Sequence, residues 1–209
     1  MSHQYIIGVD EVGRGPLAGP VTVGLVGYEV AHEKIVTALF SGIRDSKKFS
    51  PKQRARWAKR IQDISSLGLL RIMLVSAPAH TIDKSGINPT IRASIAKGLL
   101  AFEERFLFVP TETRVMLDGG LRAPAHYIAQ ETIIRGDESV PVIAAASIVA
   151  KVARDAYMDK LDTKYPLYQF VRHKGYGTSV HQEAISKHGL SPVHRASFCR
   201  RITASDVVL

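Results

Sequence analysis

The stretch from Gln4 to Val30, QYIIGVDEVGRGPLAGPVTVGLVGYEV, decides the reading of the fold. Its two ends, residues 4–10 and 21–30, are rich in β-branched and aromatic residues, and the intervening residues 13–20 are punctuated by glycine and proline. That pattern predicts two strands joined by a turn. Outward from this core, residues 49–66 predict a helix with Ser50 as N-cap, Pro51 at its first position and Gln53 completing a capping box. Residues 69–75 read as a buried strand, 90–106 as a second helix, 113–117 as a strand ending at Asp118, and 131–135 as a short strand. Residues 140–164 carry the longest helical pattern, with Pro141 near its start and Pro166 beyond its end. Further on, Ser179 and Gln182 have capping-box spacing, and Gly189 is placed to end a helix starting near Val180. Strands and helices alternate, so the expected class is α/β: a central sheet flanked by helices, with a small C-terminal helical part. The only boundary suggested is a soft one near Tyr165, dividing residues 1–164 from 165–209.

Composition limits what such a fold does. With 45% apolar and 22% charged residues the chain is an ordinary globular protein, which excludes disordered and low-complexity readings. Its single cysteine, Cys199, excludes an internal disulfide and a CxxC site, and points to a reducing, cytoplasmic setting. The first residues reach acidic positions too soon for a signal peptide, and no apolar run approaches the roughly 18–20 residues of a membrane span. A net charge of +9, from 28 Lys plus Arg against 19 Asp plus Glu, points to an anionic partner, nucleic acid being the commonest.

The acidic residues supply the chemistry. Asp10 and Glu11 close an apolar strand, and Asp118 closes another just before Gly119 and Gly120. Strand ends are where α/β sheets build sites. Consecutive strand residues face opposite ways, so Asp10 and Glu11 serve one site only where the strand bends or ends. Asp155 lies within the long helix, and its spacing alone reads as a solvated helix carboxylate. Carboxylates converging without cysteine or an HExxH motif suit magnesium or manganese rather than zinc. In a basic protein they suit metal-assisted phosphodiester chemistry.

The run from Gly13 to Ala18 formally fits a relaxed dinucleotide fingerprint, but Gly19, Pro20 and a β-branched run follow where that fold needs a helix. Two glycines around Arg14 instead suit close approach to a sugar-phosphate chain, or simply a tight hairpin turn. Residues 44–48 (RDSKK) and 173–178 (HKGYGT) each precede a capped helix and offer hydroxyls and cations for phosphate. Ser46, Lys47 and Lys174 are the substrate-binding candidates there, with Tyr176 lifted between two glycines where an aromatic ring can stack on a sugar or base.

Taken in order, these motifs resemble the prokaryotic type 2 ribonucleases H, the ribonuclease HII family, over nearly the whole chain. The matching segments are GVDEVGRGPLAGPV from Gly8, DSKKFS from Asp45, LDGG from Leu117, the run from Gly136 to Asp155, HKGYGT from His173 and HRASF from His194. The resemblance implies a ribonuclease H-like fold and a magnesium- or manganese-dependent endoribonuclease. Such an enzyme cuts the RNA strand of RNA/DNA hybrids and incises 5′ of single ribonucleotides in duplex DNA. It implies that Asp10, Glu11, Asp118 and Asp155 are the metal-binding catalytic carboxylates, a role for Asp155 that spacing does not show. It also implies that Gly13, Arg14 and Gly15 read the 2′-hydroxyl and the junction phosphate, that Tyr176 stacks on the following deoxyribose, and that Lys47 contacts phosphate. Residues 75–88 depart from the family pattern, and Gly120 stands where asparagine is common. Residues 202–209 show no glutamine-plus-aromatics pattern, so no sliding-clamp partner is expected, and the protein is expected to act as a monomer. The rival readings are a sister-type hybrid nuclease without junction selectivity and a hybrid-binding module that has lost its chemistry.

Overall fold

The computed structural model describes residues 3–43 and 46–204, apart from the side chains of Lys47, Thr203 and Ala204. Arg44 and Asp45, and the end of the tail in which no clamp motif is read, lie outside the described residues. Five strands, β1 (Tyr5–Val12), β2 (Val21–Glu29), β3 (Arg71–Ala77), β4 (Thr113–Asp118) and β5 (Gln130–Ile133), form one sheet in the order β3-β2-β1-β4-β5. The sheet is mixed: β2 runs antiparallel to β1 and β3, while β1, β4 and β5 run parallel. Among the described residues the helices are α1 (Glu33–Leu39), α2 (Pro51–Ser66), α3 (Ala79–Ser85), α4 (Ile87–Phe106), α5 (Gly136–Ser139), α6 (Pro141–Lys164), α7 (Phe170–His173), α8 (Ser179–His188) and α9 (Ala196–Ala204).

Local chemistry explains the element ends. Ser50 Oγ accepts from the Gln53 N–H and Gln53 Oε1 accepts from the Ser50 N–H, at 3.3 and 2.9 Å, so α2 starts on the predicted capping box. The expected box at α8 is not the one formed. Thr178, not Ser179, is the N-cap, accepting from the His181 N–H at 3.4 Å, while Gln182 donates to the Gly177 carbonyl at 2.8 Å. The strand expected at residues 131–135 ends at Ile133, because Arg135 takes a left-handed φ of 56° and turns the chain into α5. Part of the 75–88 stretch forms α3, a short helix the sequence pattern does not announce.

Burial assigns the two faces of the sheet. Ile7 and Val9 of β1 and Val115 and Leu117 of β4 pack against Ile91, Ile95 and Phe102 of α4. Ile6 and Val26 face the other way, into a core with Ile61 of α2 and Ile143 and Ala146 of α6. A third core joins Ala18 and the end of α6, through Met158 and Leu161, to Tyr168, Phe170, Ile185 and Cys199 of the C-terminal helices.

Helix α6 lies unusually close to the sheet. A Cβ on Gly8 would fall 2.5 Å from the Val142 carbonyl carbon, and one on Gly24 would fall 2.3 Å from the Ala146 carbonyl oxygen. Glycine is required there because the helix backbone itself fills the side-chain position. Gly24→Ala is expected to destabilise the fold by about 1–3 kcal/mol or more. Gly120→Ala, whose added methyl meets nothing within 4 Å, should stay within about 0.5 kcal/mol. Urea unfolding of both variants decides the matter, and equal midpoints would contradict this account of the α6 contact.

Candidate active site

The register of the parallel pair β1–β4 brings the first two acidic residues together. Val9 is paired with Leu117, so the next residues of the two strands, Asp10 and Asp118, are neighbours at the carboxyl edge. Asp10 is paired across β2 with Gly24, whose missing Cβ points at α6, so Asp10 faces that helix too. Ser147 on α6 hydrogen-bonds the Asp10 carboxyl, and Ser147 Oγ lies 2.9 Å from Ser46 Oγ. Asp10 is only 5% exposed. Burial, followed by the charges of Glu11 and Asp118, pushes its pKa up to about 8. Asp118 Oδ1 accepts from the Asp137 N–H at the start of α5, at 3.3 Å.

Glu11, one residue on, takes the opposite side of the strand, where Arg14 Nε donates to its Oε1 at 2.8 Å. Burial raises the Glu11 carboxyl above its ordinary range even though this guanidinium opposes the shift. The strand ends at Val12 and the chain turns sharply, so both carboxylates open on one cleft of 440 Å³. That cleft also receives Asp118, Ser46, Lys151, Tyr176 and the loop of Gly13, Arg14 and Gly15. Asp155 and Lys174 do not line it. Asp155 sits one turn along α6 from Lys151, which pairs with it at 2.8 Å, and the Lys174 ammonium pairs with Asp159. The Lys47 side chain lies outside the described part of the structure. Among the described residues no three histidine, cysteine or acidic side chains are closed around a single point as a finished metal cage.

Residues that pattern reading passes over hold this cleft in shape. Arg154 and Arg195 are 1% and 0% exposed, and neither pairs with a carboxylate in the hydrogen bonds it makes. Arg154 donates to the carbonyls of Pro20, Ala18 and Lys174, and Arg195 to those of Gly13, Arg14 and Gly19, at 2.7–3.2 Å. Burial lowers both guanidinium pKa values, that of Arg195 to about 10. Gly13, at φ 92°, leaves room for this packing, since a Cβ there would fall 2.3 Å from Arg154 Nε. The carbonyls of Gly13, Arg14, Ala18, Gly19 and Pro20 are thereby turned inward. The N–H groups of Gly13, Arg14 and Gly15 have no backbone acceptor among the described residues. Arg14 is tied sideways as well, its Nη1 donating to Asn88 Oδ1 of α4 at 2.7 Å. A signal for Arg154 was present: it falls between the buried Ala150 and Met158 on the apolar stripe of α6. Arg195 falls in the HRASF segment, which marks the residue but not its burial, and nothing comparable marks Asn88.

The Tyr176 side of the cleft is held by three histidines. The Gly175 N–H donates to His173 Nδ1 at 3.2 Å, leaving Nε2 to donate to the Tyr168 carbonyl at 2.8 Å. His181 Nδ1 lies 2.9 Å from the Tyr176 carbonyl, and its Nε2 lies 3.1 Å from His194 Nε2. The Ser191 N–H donates to His194 Nδ1 at 2.9 Å. One assignment satisfies every bond, with all three rings neutral. Burial agrees, holding His181 and His194 down at about 4. Above this frame the Tyr176 ring remains 40% exposed, with Lys151 Nζ and Arg154 Cζ 5.8 and 5.7 Å from its centroid.

Comparison with known proteins is consistent along the chain. The family model described as Ribonuclease HII matches residues 7–201. A Ribonuclease HII of Caldicellulosiruptor bescii is 37% identical over 200 residues, covering 96% of this chain and 89% of that protein. The crystal structure of the ribonuclease H2 from Pyrococcus horikoshii superposes with a TM-score of 0.75 at 22% identity, covering 98% of this chain and 100% of that one. That of Bst-RNase HIII in complex with Mn2+ gives 0.73 at 19% identity, over 99% and 71%. At such identities these two structures establish the shared fold.

The guanidinium of Arg195 is expected to matter for both stability and the cleft. Arg195→Gln removes donors from three backbone carbonyls, two of them buried, and should lower stability by on the order of 3 kcal/mol, read as a fall in the urea midpoint. An unchanged midpoint would show that the carbonyls find other partners.

Proposed function

The chain belongs to the ribonuclease HII family, endoribonucleases of the RNase H type, and we propose that it hydrolyses the RNA strand of RNA/DNA hybrids and incises 5′ of single ribonucleotides in duplex DNA. One observation carries this reading. The carboxylates of Asp10, Glu11 and Asp118 share a cleft with a donor-lined Gly13–Arg14–Gly15 loop and an exposed Tyr176 ring. Acids alone are compatible with many hydrolyses, but acids beside groups suited to a sugar and its phosphate are compatible with few.

The donor set fits divalent cations. It is all oxygen, and Asp10 stands buried beside two further carboxylates, an arrangement whose mutual repulsion bound cations relieve. Asp10, Glu11 and Asp118 would hold them, joined by Asp155, whose partner Lys151 already lines the cleft. Magnesium or manganese is the expected metal, the latter being what the Bst-RNase HIII crystal structure contains. Two such cations would supply an activated water and neutralise charge on the phosphate as the O3′ of the preceding nucleotide leaves.

The remaining steps fall to the chain itself. Ser147 orients the Asp10 carboxyl, and Asp137 N–H orients Asp118. The loop N–H groups meet the 2′-hydroxyl oxygen and a phosphate oxygen, and Arg14 neutralises the phosphate. Tyr176 stacks on the next sugar and fixes the strand along the cleft. Ser46, which lines the cleft, and Lys47 and Lys174 are proposed phosphate contacts; Lys174 has to leave Asp159 to act. The products are 3′-hydroxyl and 5′-phosphate ends, and no covalent enzyme intermediate is required. A cytoplasmic, monomeric enzyme is the setting we propose. Among the described residues no helix is long and apolar enough to cross a membrane.

The test is cleavage of a labelled DNA duplex with one ribonucleotide, beside an all-DNA duplex and a continuous hybrid, with magnesium, manganese or chelator. Metal-dependent incision 5′ of the lone ribonucleotide is expected, and binding without cleavage under either metal would sink the proposal. Asp10→Asn is expected to lower the cleavage rate by at least about 10²-fold while largely sparing affinity for the hybrid. Tyr176→Ala should cost about 1–3 kcal/mol, measured as kcat/KM, on the single-ribonucleotide duplex and less on the continuous hybrid. Equal losses on the two substrates would remove its junction role.

A further inference from the structure

A second groove, of 530 Å³, opens beside the catalytic cleft between the first turns of α4 and the chain that follows β4. It shares Glu11 and Arg14 with the cleft and continues it on the side away from Tyr176, past Asn88, Arg92 and Arg122. We propose that this groove binds the sugar-phosphate backbone of the strand being cut, with Arg92 and Arg122 as its phosphate contacts and Asn88 as a positioning residue for Arg14. The inference rests on the nuclease reading above.

Charge is the first support. Three guanidiniums line the groove against a single carboxylate, Glu11, which Arg14 already occupies. Arg92 and Arg122 are exposed, and among the described residues no side-chain hydrogen bond or ion pair engages either. Other cations around the catalytic cleft are held internally: Lys48 by Glu138, Lys151 by Asp155 and Lys174 by Asp159. Cations left unpaired in a concave, acid-poor wall next to a phosphodiester site attract phosphate, and the guanidinium fork suits its oxygens.

Geometry is the second. Arg14 stands at the junction of the two spaces, with Nε on Glu11 at 2.8 Å and Nη1 on Asn88 at 2.7 Å. These two bonds fix the guanidinium plane, so that a strand entering from the cleft meets Arg14 and then Arg92 and Arg122. The floor is bare at Gly120, where a Cβ would meet nothing within 4 Å, leaving space for a backbone to pass.

The test uses the full chain and duplexes carrying one ribonucleotide, with two phosphates at a time on either flank replaced by uncharged methylphosphonates. Binding is followed by fluorescence anisotropy across a salt series in chelator, and kcat/KM is measured in magnesium. For Arg92→Gln/Arg122→Gln the slope of log K against log salt is expected to flatten by about 2, near 0.9 for each phosphate that the variant no longer neutralises. Wild-type protein should lose affinity when one flank is neutralised, and the double variant should be insensitive to neutralisation of that flank alone. Arg92→Lys/Arg122→Lys should restore the slope, which a merely structural role would not do. A double glutamine variant with the wild-type slope and flank sensitivity would overturn the inference, as would a Tyr176→Ala variant that loses sensitivity to the same flank. Wild-type protein that fails to cut the duplex in either metal would break the nuclease reading instead, a result distinct from both.

Discussion

Two buried guanidiniums that bond backbone carbonyls, and no carboxylate among the described residues, are the constraint on which the site depends. Removing a charge from water costs several kcal/mol even after a protein relaxes. Arg154 and Arg195 offset that cost by donating to six backbone carbonyls, all in the loop after β1 or at Lys174. Together with the backbone bonds of Leu17 and Ala18 to the Gly175 carbonyl and of Gly19 to that of Val193, these bonds fix the path of the loop. They also couple separate parts of the chain: Arg154 comes from α6, Arg195 precedes α9, and their acceptors lie in the loop between β1 and β2 and beside Tyr176. The two walls of the cleft are therefore built from one hydrogen-bonded unit.

The acidic floor has a different origin. Parallel pairing sets Asp10 beside Asp118, and the missing side chains of Gly8 and Gly24 let α6 settle onto the sheet. That approach brings Ser147 within hydrogen-bonding reach of Asp10 and sets Lys151 and Asp155 on successive turns of the same helix face. Steric closeness of helix and sheet thus sets the electrostatics of the floor, because burial is the largest contribution to the raised Asp10 pKa.

Much of this was legible in the residues. The strand–turn–strand pattern, the capped start of α2 and the long α6 follow from local rules, which depend only on near neighbours in sequence. Asp10, Glu11 and Asp118 could be placed together because strand ends collect at one edge of such a sheet. Asp155 could not be placed by spacing, since its site is fixed by how α6 lies on the sheet. Thr178 displaced Ser179 as N-cap because two adjacent hydroxyl residues fit the same rule and only backbone angles separate them. The pairings of Arg195 and Asn88 were invisible for a stronger reason: Arg195 falls in the HRASF segment, but the partners are 176–182 and 74 residues away, and no periodicity encodes such a pairing.

The inward turn of the loop carbonyls has a consequence for selectivity under the proposed function. With the Gly13 and Arg14 carbonyls taken by Arg195 and the N–H groups of Gly13, Arg14 and Gly15 without a backbone acceptor among the described residues, this part of the loop has donors to offer whatever enters the cleft. A deoxyribose would leave at least one of those donors facing a carbon and cut off from water, and an unsatisfied buried donor costs about 1–3 kcal/mol. A ribose satisfies it with the 2′-oxygen. Rejection of DNA then comes from an unmet hydrogen bond rather than from a steric block, and a site built to bond a hydroxyl discriminates well against its absence. Such a reader is indifferent to the base, since no base edge is needed, and it works only if the loop cannot relax to find other acceptors. The rigidity supplied by Arg154 and Arg195 is therefore part of the recognition itself.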